Sequence, residues 1–138
     1  MEVSDSPNDF VAQHIRRFIE TGGQPRPGVN DLLLTTRGRR SGVLRRTALV
    51  YGRDGDRLFL VASDRGADRH PAWYLNLVEH PEVEVQVGTE TFAAKARTAT
   101  AEESSRLWRL MVDAMPIYQS YQDATSRPIP VVVIERNG

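Results

Sequence analysis

Two hairpin signals limit the fold of this chain more than any other feature. The segment Arg53–Asp56 contains an Asp-Gly pair between two apolar runs, and the pair Gly88-Thr89 lies between two alternating runs. Tight hairpins join antiparallel strands, whereas neighbouring parallel strands need connections of a dozen residues or more. The chain is therefore expected to form an antiparallel sheet, and a doubly wound parallel fold is not expected.

The remaining periodicity predicts short helices between six strands. The predicted strands are 32–36, 47–51, 58–62, 83–87, 91–97 and 129–135. The predicted helices are 10–19, 72–78 and 100–115, with a short helix or irregular chain at 116–127, disorder at 1–8 and a loop at 21–30. Thr100 and Glu103 form a capping box at the start of the third helix. Because closing a sheet removes its exposed edges, the sequence predicts one α+β domain built on a six-stranded antiparallel barrel.

Composition excludes several classes of function. The 138 residues suffice for one domain, and the absence of cysteine excludes disulfides, thiolate metal sites and cysteine nucleophiles. His14, His70 and His80 lie in separate predicted elements, so no metal site is expected. The acidic, polar N-terminus is unlike a secretory signal and no apolar run could span a bilayer, which predicts a cytoplasmic protein. Zero net charge argues against nucleic-acid binding.

Positive charge is nevertheless concentrated in one turn. Five arginines lie between Arg37 and Arg46, around the sequence Gly38-Arg39-Arg40-Ser41-Gly42. Guanidinium groups bind phosphate or carboxylate oxygens in bidentate fashion, and glycines let backbone N–H groups point into one concavity. The turn is either an anion site or a solvated hairpin tip.

Two further segments attract attention. The chain from Ser63 to Leu77 leaves a strand and enters a predicted helix N-terminus, which favours anions. Tyr118 and Tyr121 are three residues apart and so share one helical face. From their spacing alone, the two tyrosines either cap the core or form the wall of a pocket.

Taken together, these residues resemble the deazaflavin-dependent nitroreductase family, small split-barrel proteins that use coenzyme F-420. The resemblance extends from Leu32 to Glu135. It is carried by T-T-R-G-R-R-S-G at 35–42, R-D-G-D-R-L-F-L-V-A-S at 53–63, H-P-A-W-Y-L-N-L at 70–77, H-P-E-V-E-V-Q-V at 80–87, P-x-Y-x-x-Y-Q at 116–122 and R-P-I-P-V-V-V at 127–133. The order of these segments makes the resemblance specific.

The resemblance implies an FMN-binding-like split barrel and hydride transfer from reduced deazaflavin to a quinone or nitro-aromatic acceptor. It implies that Arg39, Arg40, Ser41 and Arg45 hold the anionic tail. The rest of the cofactor site would comprise Thr47, Ala48, Ala62, Ser63, Arg65, Gly66, Ala67, Ala72, Trp73 and Asn76. Ser63, Tyr118 and Tyr121 would contact the acceptor. The chain departs from the family in having Asp64-Arg65 after the serine and Met115 in place of an aromatic residue.

Two alternatives to this function stay open, an FMN-dependent oxidoreductase of the same fold and a non-catalytic deazaflavin-binding protein. The chain divides into an N-terminal segment, residues 1–30, and a cofactor-binding domain, residues 31–138. The predicted N-terminal helix has an apolar face beside Arg16 and Arg17, which fits either packing on its own barrel or weak contact with a membrane surface. The sequence does not indicate the oligomeric state.

Overall fold

A single sheet runs through the computed structural model, which describes residues 3–5, 9–23 and 30–137. Among these residues the sheet has eight strands: β1 Val3–Asp5, β2 Asp31–Arg37, β3 Leu44–Val50, β4 Gly52–Asp54, β5 Arg57–Val61, β6 Glu82–Val87, β7 Glu90–Thr98 and β8 Val131–Arg136. The spatial order is β1-β3-β2-β6-β7-β8-β5-β4. Seven strands pair antiparallel, and β1 pairs with β3 in parallel.

A bent strand curls the sheet. Only Tyr51 separates β3 from β4, although these strands lie at opposite ends of the antiparallel part of the sheet. Residues 44–54 therefore contribute a strand to each end of the antiparallel sheet. Because the two ends are joined by one residue, the sheet curls into a half-barrel. At the bend, Gly52 passes so close to the ring of Phe59 that a Cβ would collide with it. The predicted mixed α+β fold with an antiparallel sheet is confirmed.

The prediction of six strands was wrong, because residues 52–54 form a separate strand. They were assigned to a turn, but they pair with Arg57–Phe59 and continue the β3 chain beyond its bend. The prediction of disorder at 1–8 was also wrong for Val3–Asp5, which pairs with Leu44–Arg46. The rest of that segment lies outside the described residues, as does most of the predicted loop at 21–30.

Four α-helices are present among the described residues, together with one 3-10 turn at Asp64–Gly66: α1 Asp9–Glu20, α2 Ala72–Glu79, α3 Ala101–Ala114 and α4 Ile117–Asp123. The structure thus assigns part of the uncertain segment 116–127 to a short helix. Ile15 and Phe18 of α1 are buried against Leu33, which agrees with packing on its own barrel. Weak membrane contact stays a prediction, and Ile19 is an exposed apolar side chain of this helix. No described helix is long and apolar enough to cross a membrane.

Alternation along β5 separates two of the three clusters of the core, the third being that of α1 against Leu33. Leu58 and Leu60 of β5 point into the curled sheet, where α2 contributes Tyr74 and Leu77. Phe59 and Val61 point to the other face and are covered by α3 and α4. Helices thus pack on both faces of the sheet. The cleft described below lies where α2, α4 and the arginine turn, residues 37–46, meet.

Charged side chains attach α3 to the sheet. Glu103 accepts hydrogen bonds from Arg97 at 2.8 and 2.9 Å and from Arg57 at 3.2 Å, and it completes the predicted capping box with Thr100. The Arg97 guanidinium, together with the Thr100 backbone amide, holds the pKa of the Glu103 carboxyl well below its usual range. The ionised carboxylate therefore stabilises the folded state.

We expect Glu103→Gln to lower the melting temperature at pH 7, because glutamine keeps the capping box but cannot pair with the arginines. The difference in stability between the native protein and the variant should be complete above the unfolded-state pKa of the Glu103 carboxyl, about 4.3. It should decrease as the pH falls from there toward the lower pKa of that carboxyl in the folded state. Thermal unfolding from pH 3 to 7 measures it. Glu102→Gln, in the same helical turn, is the matched control, and an equal loss in both variants would contradict the pairing.

Candidate active site

A cleft of about 900 Å³ opens beside the arginine turn and β3. Its other lining elements are α2, α4 and residues 63–67, which we call the Ser63 turn. Most of the predicted site residues line it: Arg39, Arg40, Ser41, Arg45, Thr47, Ala48, Ser63, Arg65, Ala72, Trp73, Asn76, Tyr118 and Tyr121. Ala62, Gly66 and Ala67 do not, although they belong to the Ser63 turn or adjoin it. The structure thus brings together segments that are far apart in the sequence.

Sequence reasoning missed several lining residues. Leu49, Val50, Val61, Met115 and Ile117 belong to the cleft together with Arg46. Arg46 was visible in the arginine run, and Ile117 lies beside the predicted tyrosines. The valines and leucine carry no sequence signal, because apolar strand residues more often belong to the core than to a ligand site.

The arginine turn is closed by its own backbone. The amide of Gly38 donates to the Val43 carbonyl at 2.8 Å, and the amide of Gly42 donates to the Gly38 carbonyl at 2.9 Å. Gly42 has a φ of 72°, which glycine adopts without strain. The N–H groups of both glycines are therefore engaged within the turn, and a contribution of the turn's other backbone amides to anion binding stays a prediction.

Asn76 holds the turn against α2. Its buried side chain accepts bonds from the Arg39 amide at 3.1 Å and from the Arg39 guanidinium at 3.3 Å, and it donates to Thr36 at 3.2 Å. Three of the four hydrogen bonds that an Asn side chain commonly forms are thus within the protein. Asn76 lines the cleft, but its main observed role is to fix the arginine turn.

The arginines make one wall of the cleft positive. Among the residues that the structure describes, no carboxylate pairs with Arg39, Arg40 or Arg45. Asp64 is the one carboxylate among the lining residues, and it is exposed. The described part of the chain holds no group of three His, Asp or Glu side chains that could bind a metal. Unpaired guanidinium groups at a concave surface attract anions.

The Ser63 turn has an unusual backbone. Asp64, Arg65 and Gly66 have φ values of 45°, 55° and 85°, so three consecutive residues are left-handed. This conformation costs a residue other than glycine about 1–2 kcal/mol. Gly66 contacts α4 so closely that a Cβ would lie 2.8 Å from the Tyr121 carbonyl oxygen. The turn thereby docks on the helix that carries the tyrosines, while Ser63 is nearly buried at the cleft.

The two tyrosines serve both of the roles that their spacing left open. Their rings meet edge to face, with centroids 5.4 Å apart and an interplanar angle of 82°. Tyr118 is a buried member of the core beneath α3, and Tyr121 packs against that core. Both also line the cleft. With Val61, Met115 and Ile117 they form its apolar wall.

Comparison with known proteins identifies the family. A family model described as F420H(2)-dependent quinone reductase matches residues 10–136. The chain belongs to this family. A relative from Mycobacterium tuberculosis, an F420H(2)-dependent quinone reductase, is 43% identical over 109 residues, or 77% of this chain and 73% of the relative.

Solved structures agree with this assignment. One, named an F420-H2 dependent reductase, is 37% identical with a TM-score of 0.71 and covers 77% of this chain and 94% of that chain. Another, described as a domain-swapped dimer, is 36% identical with a TM-score of 0.74 over 94% of this chain and 100% of the other. Membership in the F420H(2)-dependent quinone reductases confirms the predicted oxidoreductase activity and the predicted cofactor, coenzyme F-420.

The cleft fits that cofactor. Its volume lies near the upper end of the roughly 300–1,000 Å³ of small-molecule sites, as an extended ligand requires. Arg39, Arg40 and Arg45, which pair with no carboxylate among the described residues, suit a phosphate and a carboxylate-rich tail. The outer edge of β3 has no strand partner at 47–50 among the described residues, so its backbone can pair with a planar ring.

We expect Asn76→Ala to reduce the free energy of unfolding by about 1–3 kcal/mol, because it leaves buried partners unsatisfied. Denaturant unfolding measures this loss. The exposed Asn30, whose carbonyl alone makes a hydrogen bond in the structure, supplies the control variant Asn30→Ala. If both variants were equally stable, Asn76 would not hold the arginine turn.

Proposed function

We propose that this reductase binds reduced coenzyme F-420 along the cleft and reduces a quinone held between the Ser63 turn and α4. The observation that carries this proposal is the contrast between the walls of one cleft. One wall presents Arg39, Arg40 and Arg45, which have no carboxylate partner among the described residues. The other presents an apolar surface that carries hydroxyl groups. A ligand with an anionic tail and a planar reactive ring requires both.

The arginine wall would hold the tail. Arg40, Ser41 and Arg45 are exposed at the rim, and Arg39 is fixed in position by Asn76. The backbone of Thr47 and Ala48, on the open edge of β3, would adjoin the ring, while the Ala48 side chain packs against the cluster that α1 forms with the sheet. Ala72 and Trp73 at the start of α2 would close the groove. Arg65 would approach the cofactor from the Ser63 turn.

Three predicted residues would act indirectly. Ala62 is fully buried, and Gly66 and Ala67 lie behind the lining of the cleft. Gly66 is required by the close contact with α4, and the Ala67 amide closes the turn on the Asp64 carbonyl at 3.1 Å. We propose that these residues shape the Ser63 turn and do not themselves contact the cofactor.

The reduced cofactor supplies a hydride, and the protein orients and polarises the acceptor. Ser63 and Tyr121 carry hydroxyl groups at the cleft, where they can donate hydrogen bonds to an acceptor oxygen as negative charge develops on it. Tyr118, which is more deeply buried, would form the floor of this subsite.

The apolar wall favours a quinone as the acceptor. Val61, Met115 and Ile117 offer contact to an apolar ring and its substituents, and Ile117 is half exposed at the mouth. A quinone presents carbonyl oxygens to the hydroxyl groups and carbon surface to this wall. In the family that the sequence resembles, nitro-reducing members carry an aromatic residue where this chain has Met115. We therefore propose that this protein is less active on nitro compounds than on quinones.

We expect Arg45→Ala to weaken binding of full-length coenzyme F-420 by roughly 10- to 100-fold, because a charge-assisted hydrogen bond contributes about 1.5–3 kcal/mol. Arg39→Ala should do the same, although it also removes a partner of Asn76. Turnover at saturating cofactor should change less than affinity. Fluorescence titrations with full-length cofactor and with a tail-less analogue measure the difference.

The matched control is Arg109→Ala, which removes an exposed charge of α3 away from the cleft. A parallel titration with FMN tests the alternative cofactor. Equal weakening for the full-length and tail-less ligands would mean that the arginines do not hold the tail. Tighter binding of FMN than of the deazaflavin would exclude the proposed cofactor arrangement.

We expect the double variant Ser63→Ala with Tyr121→Phe to slow quinone-dependent oxidation of the reduced cofactor by about 100-fold or more, since one donor to a developing oxyanion contributes about 10²–10³-fold. Cofactor affinity should stay within a few-fold of the native value. Stopped-flow oxidation at saturating cofactor measures the rate. Ser104→Ala on α3, which does not line the cleft, is the control. Unchanged turnover would remove both residues from the reaction.

A further inference from the structure

Arg127 lies outside the lining of the cleft, yet its guanidinium connects three carbonyls around the Ser63 turn. Nε donates to the Ala67 carbonyl at 2.8 Å, and Nη2 donates to the carbonyls of Ala62 at 3.2 Å and Ser63 at 2.9 Å. Nη1 lies 3.3 Å from His70 Nδ1. Because arginine only donates, Nδ1 can take part in a hydrogen bond here only as the acceptor.

These contacts bracket the left-handed segment. Ala62 and Ser63 precede it and Ala67 follows it, so a single planar group binds both of its ends. Within the segment two backbone bonds are present, from the Gly66 amide to the Ser63 carbonyl at 2.9 Å and from the Ala67 amide to the Asp64 carbonyl. A conformation that is unfavourable for Asp64 and Arg65 persists only where surrounding contacts determine it.

Arg127 is itself held firmly. Its amide donates to Thr125 Oγ1 at 3.3 Å, and its carbonyl accepts from Gln122 Nε2 at 2.9 Å. Gln122 Oε1 accepts from the Ile129 amide at 3.0 Å, next to β8, and Thr125 donates to Asp68 at 2.7 Å. The guanidinium therefore transmits the position of α4 and β8 to the turn that carries Ser63.

We infer that Arg127 is a positioning residue for the reductase reaction, which sets the Ser63 turn relative to the tyrosines of α4. This inference rests on the proposed function, in which Ser63 and Tyr121 contact the acceptor. The planar fork is essential, because a lysine ammonium is a single point charge and cannot bond all three carbonyls in their separate directions. Arg127→Lys is therefore not a conservative change at this position.

The test compares Arg127→Met and Arg127→Lys with Arg69→Met. Arg69 lies in the loop between the Ser63 turn and α2, is exposed and makes no side-chain hydrogen bond or ion pair among the described residues, so it controls for the lost charge. Without cofactor, hydrogen–deuterium exchange of a peptide covering 62–68 should accelerate at least about tenfold in both Arg127 variants, while α3 exchanges at the native rate. The Arg69 variant should match the native protein throughout.

With cofactor, single-turnover oxidation by a quinone should slow by about 10- to 100-fold in both Arg127 variants, because small displacements of positioning groups have effects of this size. The dissociation constant of the oxidised cofactor should change less than about threefold, since the arginine turn is on other elements. Methylguanidinium, but not methylammonium, should partly restore the rate of Arg127→Ala.

Each contrary result has a distinct meaning. The positioning role would be overturned if hydrogen–deuterium exchange at 62–68 in Arg127→Met equalled that of the native protein. It would also be overturned if the turn exchanged faster but the single-turnover rate with quinone stayed at the native value. Accelerated exchange across the whole chain would also overturn it, because Arg127 would then serve global stability. A native protein that does not oxidise reduced coenzyme F-420, or that tolerates loss of the Ser63 hydroxyl, would instead refute the proposed function, and exchange alone would then decide whether Arg127 clamps the turn.

Discussion

The bend between β3 and β4 determines how the rest of the structure is arranged. Because one stretch of chain supplies strands to both ends of the antiparallel sheet, the sheet has to curl, and its inner face becomes a core. The bend also leaves residues 47–50 without a strand partner on their outer side among the described residues. An unpaired edge would normally favour aggregation. Here it faces a cleft, where a bound ring can use it.

The cleft combines two kinds of physical interaction on separate elements. The arginine turn belongs to β2 and β3 and would act through charge, whereas the proposed acceptor subsite belongs to the Ser63 turn and α4 and would act through shape and directed hydrogen bonds. Asn76 and Arg127 perform corresponding tasks on the two sides, since each fixes a turn through buried or half-buried hydrogen bonds. In the proposed arrangement, cofactor affinity and the rate of the reaction would therefore depend on separate elements.

Sequence reasoning found what is recorded in local patterns. Hairpin signals indicated the antiparallel sheet, the clustered arginines indicated the positively charged side of the cleft, and the order of six motifs led to the family. It could not find the strand at 52–54, because a bend that changes strand partners depends on the packing of Gly52 over Phe59, seven residues away in the sequence. Short segments with turn residues are ambiguous until their pairing is known.

The role of Arg127 was equally hidden from sequence, and for a general reason. Its partners are backbone carbonyls about 60 residues away, and every residue has a carbonyl. The left-handed conformation of Asp64 and Arg65 also has no signature, because neither residue is glycine. Side-chain chemistry can be read from a sequence, whereas backbone recognition requires the fold.

The same division predicts how the two sides of the cleft respond to ionic strength. Salt shortens the Debye length from about 10 Å at 0.1 M to about 3 Å at 1 M, so attraction between the exposed arginines and an anionic tail weakens. The bonds of Arg127 are short, directed at neutral carbonyls and half buried, and screening hardly affects them. Added salt should therefore raise the dissociation constant of the cofactor while the rate at saturation stays nearly constant. A titration at both salt concentrations, followed by single-turnover kinetics, measures the two quantities. A rate that fell in parallel with affinity would mean that the tail, and not the Ser63 turn, positions the reacting ring.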